Sequence, residues 1–359
     1  MDPHVSASNS TITATPERIS ELTRTLLARM RGSIKEISDI NLEARVLSIN
    51  AQIEASRAGE SGRAFSIVAE EMVTFSDRTQ RAATKLQNES EALVLELAEI
   101  SRRLATDVRG TRLCDLAFTN IDLIDRNLYE RSCDCRWWAT DGAMVEAVER
   151  PNADTARVAV QRLGVTLKAY TVYFDIVLTD LNGSVIANGR PFTYASQGSP
   201  QGKSPWFQSA LATANGDDFG SQSVHVSSLV GGRRALVYSC KVCRGGDAKS
   251  APIGVLGVVF KWDGLAQKII HDTPIEAAKR TRTRVCVVDE DGLVLADSRD
   301  KVLSERIEIP DRTTLFTQEK GNVRTTINAS DVLVAHAQSP GFETYRTGWH
   351  SLIVEQLER

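Results

Sequence analysis

The sequence predicts an α+β chain, in which an N-terminal antiparallel helical coiled-coil hairpin precedes a long helix and two antiparallel-sheet modules. Three observations carry that reading. Apolar residues recur every three or four positions on both sides of a Gly-bounded polar turn. A strand–turn–strand unit occurs twice in the C-terminal half. Between the two regions lies a helical block dense in paired charges and aromatics.

The hairpin is justified from its turn outward. Arg57-Ala58-Gly59-Glu60-Ser61-Gly62-Arg63 carries charge on both sides and almost nothing apolar. Gly59 and Gly62 offer the positive-φ freedom that a helix reversal needs. Glu60 and Ser61 suit the start of a second helix. On the incoming arm the three-four spacing runs through Ile19, Leu22, Leu26, Met30, Ile34, Ile37, Ile40, Ala44, Leu47 and Ala51. On the outgoing arm it runs through Phe65, Val68, Met72, Phe75, Thr79, Ala82, Leu86, Leu93, Leu97, Ile100 and Leu104. These two stripes predict the packing seam between the arms. Pro16 suits a helix start. The hairpin is expected over residues 15–109, after a disordered N-terminus at residues 1–14.

Gly110-Thr111 predicts a break, followed by a connecting helix over residues 110–150 with Trp137 and Trp138 as packing anchors. From Tyr170 the period changes to that of strands. Tyr173 to Ala187 reads as strand, Asp-x-Asn-Gly turn and strand, a strong hairpin signal. Val285 to Ala296 repeats the device: Asp180 matches Asp289, Gly183 matches Gly292 and Ala187 matches Ala296. Further strands follow each copy, and a helix at residues 264–278 bridges them. The two modules are expected over residues 151–279 and 280–359.

Composition narrows the function. A net charge of −3 without a basic stripe gives no sign of nucleic-acid binding. No apolar run approaches the roughly twenty residues of a membrane span, and the N-terminus lacks a secretory pattern. Both point to a cytoplasmic protein. His4, His225, His271, His336 and His350 form no spaced metal set, and no phosphate loop or dinucleotide glycine pattern occurs. No enzyme, metal or cofactor is expected. Cys133 and Cys135 on a helix would point apart. Cys240-x-x-Cys243 is a weak metal signal and reads as incidental thiols or a redox switch.

The tip is more elaborate than a structural turn requires. Asn50-Ala51-Gln52-Ile53-Glu54-Ala55-Ser56-Arg57-Ala58-Gly59-Glu60, then Gly62-Arg63-Ala64-Phe65-Ser66-Ile67-Val68-Ala69-Glu70-Glu71-Met72, resembles the signalling tip of bacterial chemoreceptors, the methyl-accepting chemotaxis proteins. The resemblance implies a homodimer, with higher-order assembly, that binds the chemotaxis histidine kinase and its coupling protein. It places Ile49, Asn50, Ile53, Glu54 and Arg57 in contacts between dimers. Glu60, Arg63, Phe65, Ile67, Val68 and Glu71 would face the coupling protein and kinase. The chain departs from the family before the tip, where Glu43 and Arg45 replace neutral amides. Gln87-Asn88-Glu89-Ser90-Glu91 is the one acidic and amide cluster on the outgoing arm, and the arms leave little room for a methylation zone.

The C-terminal part, from Leu113 to Glu358, resembles a double Cache sensor: a long helix and two PAS-like sheets in series. That resemblance implies a small ligand in the first sheet, such as an amino acid, amine or carboxylate. Tyr173, Tyr194, Lys203, Trp206, Phe207, His225, Tyr238 and Asp263 are the candidate wall residues. Trp206 and Tyr238 serve equally well as core aromatics. Two functions follow. One is a soluble chemoreceptor-like transducer coupling a Cache sensor to the kinase. The alternative is a non-chemotactic dimeric scaffold that uses the hairpin only to oligomerise.

Overall fold

The computed structural model describes residues 16–310 and 312–357; the segment at residues 1–14 expected to be disordered lies outside them. The chain forms two compact units, divided between Arg109 and Gly110.

The first unit holds helix α1 (Pro16–Arg57), a 3-10 turn at Gly59–Gly62 and the first part of helix α2 (Arg63–Ala139). The arms pack antiparallel, because contacting residues move in opposite directions along the chain. Arg31 pairs with Glu91 at 2.9 Å and Arg45 with Asp77 at 2.6 Å. Between them Asn41 Nδ2 donates to the Ser76 carbonyl and Ser76 Oγ donates to Asn41 Oδ1, both at 2.9 Å. The Arg45 departure thus serves a cross-arm ion pair.

The seam differs from the expected one. Its buried residues include Ile34, Asn41, Ser48 and Ala55 on α1, and Ala69, Ser76, Ala83 and Ser90 on α2, each spaced by seven, with Thr23 and Ser101 buried farther along the arms. Of the apolar stripe predicted as the seam, Ile34 is buried, but most of the rest lies about one position away and is exposed: Leu22 51%, Ile40 60%, Leu47 67%, Phe65 74%, Phe75 67% and Leu93 66%. Small side chains let the two backbones approach closely, and Asn41 and Ser76 satisfy each other there. At the turn only Gly59 has a positive φ, of 63°. Gly62 is needed for proximity instead: a Cβ on it would stand 2.1 Å from the Ala55 carbonyl oxygen.

The second unit begins inside α2, which runs through Gly110 without the predicted break. The space a Cβ on Gly110 would take is filled by the Asn322 amide, so this glycine permits close packing. One face of α2 buries Leu113, Ala117, Ile121, Ile124, Leu128, Cys135 and Trp138. Trp138 packs edge-on against Tyr170 and Tyr173. Trp137, expected as an anchor, is 69% exposed. The helix ends at Ala139; helices α3 (Gly142–Glu149) and α4 (Ala153–Ala169) follow, with Asp141 and Asn152 capping them.

Ten strands form two antiparallel sheets of the same order. The first contains β1 (Tyr173–Asp180), β2 (Val185–Asn188), β3 (Gly220–Ser227), β4 (Arg233–Cys243) and β5 (Pro252–Phe260), ordered β2-β1-β5-β4-β3. The second contains β6 (Thr283–Val288), β7 (Val294–Asp297), β8 (Lys320–Ile327), β9 (Ser330–Gln338) and β10 (His350–Gln356), ordered β7-β6-β10-β9-β8. The repeat extends to atoms. Asp180 Oδ1 accepts from the Asn182 and Ser184 amides, and Asp289 Oδ1 from those of Asp291 and Leu293. Ala187 sits opposite Leu178, as Ala296 sits opposite Val287. Helix α5 (Pro205–Ala212) covers the outer face of the first sheet, and α7 (Arg312–Phe316) lies by the outer face of the second. The bridging helix α6 is shorter than expected, Trp262–Asp272. The sheets join through the Tyr238–Tyr345 hydroxyl pair, at 2.5 Å, and through Trp262 Nε1 donating to the Leu295 carbonyl.

Candidate functional site

The eight candidate wall residues do not converge. Tyr173 and Tyr238 point to the helix-facing side of the first sheet and are wholly buried. Tyr173 donates to Asp134 at 2.5 Å. Trp206 and Phe207 lie on the opposite side, where α5 packs them onto the strands. The Trp206 ring occupies the space a Cβ on Gly257 would need. Lys203 is exposed. His225, half-buried on β3, holds the Ser223 carbonyl through Nδ1, and burial lowers its pKa. Asp263 opens α6 and pairs with Arg234 at 3.0 Å, at the junction with the second sheet. The expected single aromatic wall is therefore divided between two faces, because adjacent strand residues point to opposite sides.

What does converge is a group around Phe174 and Tyr194 on the outer face. Their rings meet edge-on at 6.4 Å. The Arg233 guanidinium lies 5.4 Å and the Lys261 ammonium 5.8 Å from the centre of the Phe174 ring. Arg190 is adjacent, donating to the Tyr173 and Phe174 carbonyls. Burial, then the charges of Arg190 and Arg233, pull the Lys261 pKa down. Three cations are thus held together beside an aromatic pair.

Two polar atoms complete the group. Asn188 Oδ1 and Ser196 Oγ are buried and lack hydrogen-bond partners. Both residues turn toward the Tyr194 carbonyl, which accepts from Asn188 Nδ2 and from the Ser196 amide. The other buried polar group, Asp175, is fully engaged: it accepts from Asn188 Nδ2 at 2.7 Å and from the Ile176 and Arg190 amides. Burial pushes its pKa up while those hydrogen bonds pull it down. Unpaired buried acceptors are costly. A ligand with an anionic group for the cations and a donor for Asn188 Oδ1 would satisfy the group chemically. None of Phe174, Asn188, Arg190, Ser196, Arg233 or Lys261 was singled out from sequence; only their convergence marks them.

All eleven tip residues are solvent-exposed: Ile49, Asn50, Ile53, Glu54, Arg57, Glu60, Arg63, Phe65, Ile67, Val68 and Glu71. Arg57 pairs with Glu54 at 2.7 Å on the surface. They bear no part of the buried seam and form a mixed apolar and charged surface at the end of the hairpin.

The cysteines are free thiols. Cys240 donates to the Gly216 and Asp218 carbonyls and Cys243 to that of Ala248. Burial pushes the Cys240 pKa up to about 12, which favours inert thiols over a redox pair. Among the described residues, no group of three or more metal-ligating side chains comes together, and no helix is long and apolar enough to cross a membrane.

Comparison with known proteins extends this picture. A family model described as Cache domain matches residues 8–358. Methyl-accepting chemotaxis protein PscA of Pseudomonas syringae pv. tomato is 36% identical over 107 residues, 28% of this chain and 16% of that protein. Methyl-accepting chemotaxis protein McpG of Pseudomonas putida is 44% identical over 63 residues, 17% of this chain and 10% of that protein. The chain thus spans a small part of the curated relatives it matches. The sensor domain of the V. cholerae histidine kinase DctB superposes with a TM-score of 0.55 at 13% identity, covering 70% of this chain and 99% of that one. The ligand-binding domain of the Campylobacter jejuni chemoreceptor Tlp3, in complex with 4-methylisoleucine, gives 0.52 at 15% identity, covering 70% and 92%. These likenesses establish a shared fold.

Proposed function

The chain belongs to the Cache-domain family, and from that premise we propose that it senses a small molecule and signals through its N-terminal helix pair. The observation that carries the sensing half is the cluster of Arg190, Arg233 and Lys261 around Phe174, next to the unpaired Asn188 Oδ1 and Ser196 Oγ. Cations beside an aromatic ring suit a carboxylate on an otherwise apolar molecule, and the unpaired oxygens suit an ammonium or hydroxyl donor. An amino acid or a hydroxy acid has both. Solved relatives of this fold include a chemoreceptor domain holding 4-methylisoleucine.

The signalling half rests on the tip sequence and on its exposure. Surface residues that contribute nothing to the hairpin's own packing are free to bind a partner. The proposed partners are the chemotaxis histidine kinase and its coupling protein, and the proposed compartment is the cytoplasm, where they act. The exposed stripe that includes Leu22, Ile40, Leu47, Phe65, Phe75 and Leu93 supports a homodimer. A contiguous apolar stripe of that length is costly to leave in water, and its heptad-like spacing fits a second helix pair in a coiled-coil bundle.

Calorimetric titration of the full chain with a panel of amino acids and small carboxylates tests the sensing half. Binding by at least one compound, weakened tenfold or more by Arg233→Ala (roughly 1.4 kcal/mol), is the expected outcome. Equal affinity of wild type and Arg233→Ala would move the site elsewhere.

A further inference from the structure

We propose that the second sheet carries a proton-responsive latch, built from His336 and His350 beneath α7, that adds an acid input to the sensor. His336 on β9 and His350 on β10 are 0% and 2% exposed. Their Nδ1 atoms lie 3.3 Å apart, so one ring must donate and the other accept, and burial favours the neutral form of both. Phe316 of α7 stacks on His350 with centroids 3.8 Å apart and planes 11° from parallel. Phe316 also lies 5.5 Å from His336. The His336 ring also hydrogen-bonds to the Leu315 backbone of α7.

The surroundings oppose a charge on this pair. Arg312 of α7 adds positive charge near His350. On the packed strands and helix, Lys320 is paired with Asp115 at 2.9 Å, Arg324 with Asp331 at 3.4 Å, and Arg284 with Asp297 at 2.8 Å. Arg282 faces Glu355 at 4.0 Å. The thiols of Cys114 and Cys286 are kept protonated by burial. The carboxylates of Asp115, Asp331, Asp297 and Glu355 are thus each already engaged. A first proton would place an imidazolium in an apolar site beside Arg312. A second would turn both Nδ1 atoms into donors and abolish the bond between the rings.

The latch is wired to α2. His336 stands opposite Gly321 in the β8–β9 ladder. The flanking residues of β8 dock on the helix: Asn322 Nδ2 approaches Cys114 Sγ at 3.7 Å and Lys320 pairs with Asp115. Loosening β8 and β9 would therefore release contacts on α2 itself, without any ligand in the first sheet.

Hydrogen–deuterium exchange on the full chain at about pH 7.5 and about pH 5, corrected for intrinsic rates, tests this. Residues 312–338 should lose protection roughly tenfold or more at the lower pH, while β1–β5 keep theirs. His350→Phe retains a ring to stack on Phe316 but removes one of the two titrating groups, and should cut the pH response to that of His336 alone. Unchanged protection in the wild type, or the same loss in His350→Phe, would overturn the proposal. NMR titration of labelled histidines in the unmutated chain gives an independent reading. Both rings should stay neutral well below pH 6; ordinary titration near 6.5 would overturn the latch.

Discussion

Replacing Gly62 by Ala should open the hairpin tip. A Cβ at this position would lie 2.1 Å from the Ala55 carbonyl oxygen, 2.9 Å from its carbon and 3.0 Å from its Cα. All three are backbone atoms, so no side chain can swing aside. The two helix ends must separate by about an ångström to restore an ordinary contact, which is overpacking at about 1–3 kcal/mol. The cost falls where the chain reverses, next to Glu60, Arg63 and Phe65. Exchange of amides at residues 50–70 reads it directly, and the same range corresponds to exchange faster by about 5- to 150-fold if the tip opens locally. Gly59→Asn is the control. Gly59 has φ 63° with open space around it, and asparagine tolerates that conformation. The reasoning fails if Gly62→Ala exchanges at the wild-type rate, or if the two substitutions behave alike.

Other perturbations have different signs. Gly32 lies within α1 with nothing within 4 Å of a Cβ position, so Gly32→Ala should raise hairpin stability by up to about 1 kcal/mol, seen as a higher denaturation midpoint. Asp125 is 0% exposed and accepts from Ser339 Oγ at 2.6 Å and the Gly341 amide at 2.9 Å. Asp125→Ala strands those donors and should cost about 2–5 kcal/mol, measured by urea unfolding of the full chain. The pH dependence of stability follows from His336 and His350. Burial lowers each from 6.5 to about 4, so the unfolded chain binds more protons between those values. Stability should therefore fall as pH drops through 6.5 toward 4, by about 2 kcal/mol per histidine at pH 5. A flat urea midpoint over that range would contradict the neutral pair.

The tip and the repeated turns were legible because their signals are local. A Gly-bounded charged reversal and an Asp-x-x-Gly turn carry their own backbone chemistry, and Asp180 and Asp289 use it identically. The seam was not legible. Two stripes run along each arm with the same period, one apolar and one of Ala, Ser and Asn. Hydrophobicity alone selects the first, while the helix pair buries the second and leaves Phe65 and Phe75 outside. Gly110 misled for a related reason: a glycine can serve close packing, here against Asn322, instead of ending a helix. In the first sheet, side-chain alternation separates Tyr173 from Phe174, so residue type could not say which aromatic faces the cationic group. The unpaired oxygens of Asn188 and Ser196 are properties of the packed chain and have no sequence signature.

The central claim is that a Cache sensor signals through the hairpin tip, and reconstitution with the chemotaxis kinase and coupling protein tests it most directly. Glu54 and Arg57 are exposed and pair with each other, a contact of at most about 1 kcal/mol, so removing both should leave the helices folded. The wild-type chain should retain the kinase and coupling protein on a column and change the kinase autophosphorylation rate. The Glu54→Ala/Arg57→Ala protein, with unchanged helicity by circular dichroism, should do neither. Failure of the folded wild-type chain to bind or alter the kinase would contradict the account.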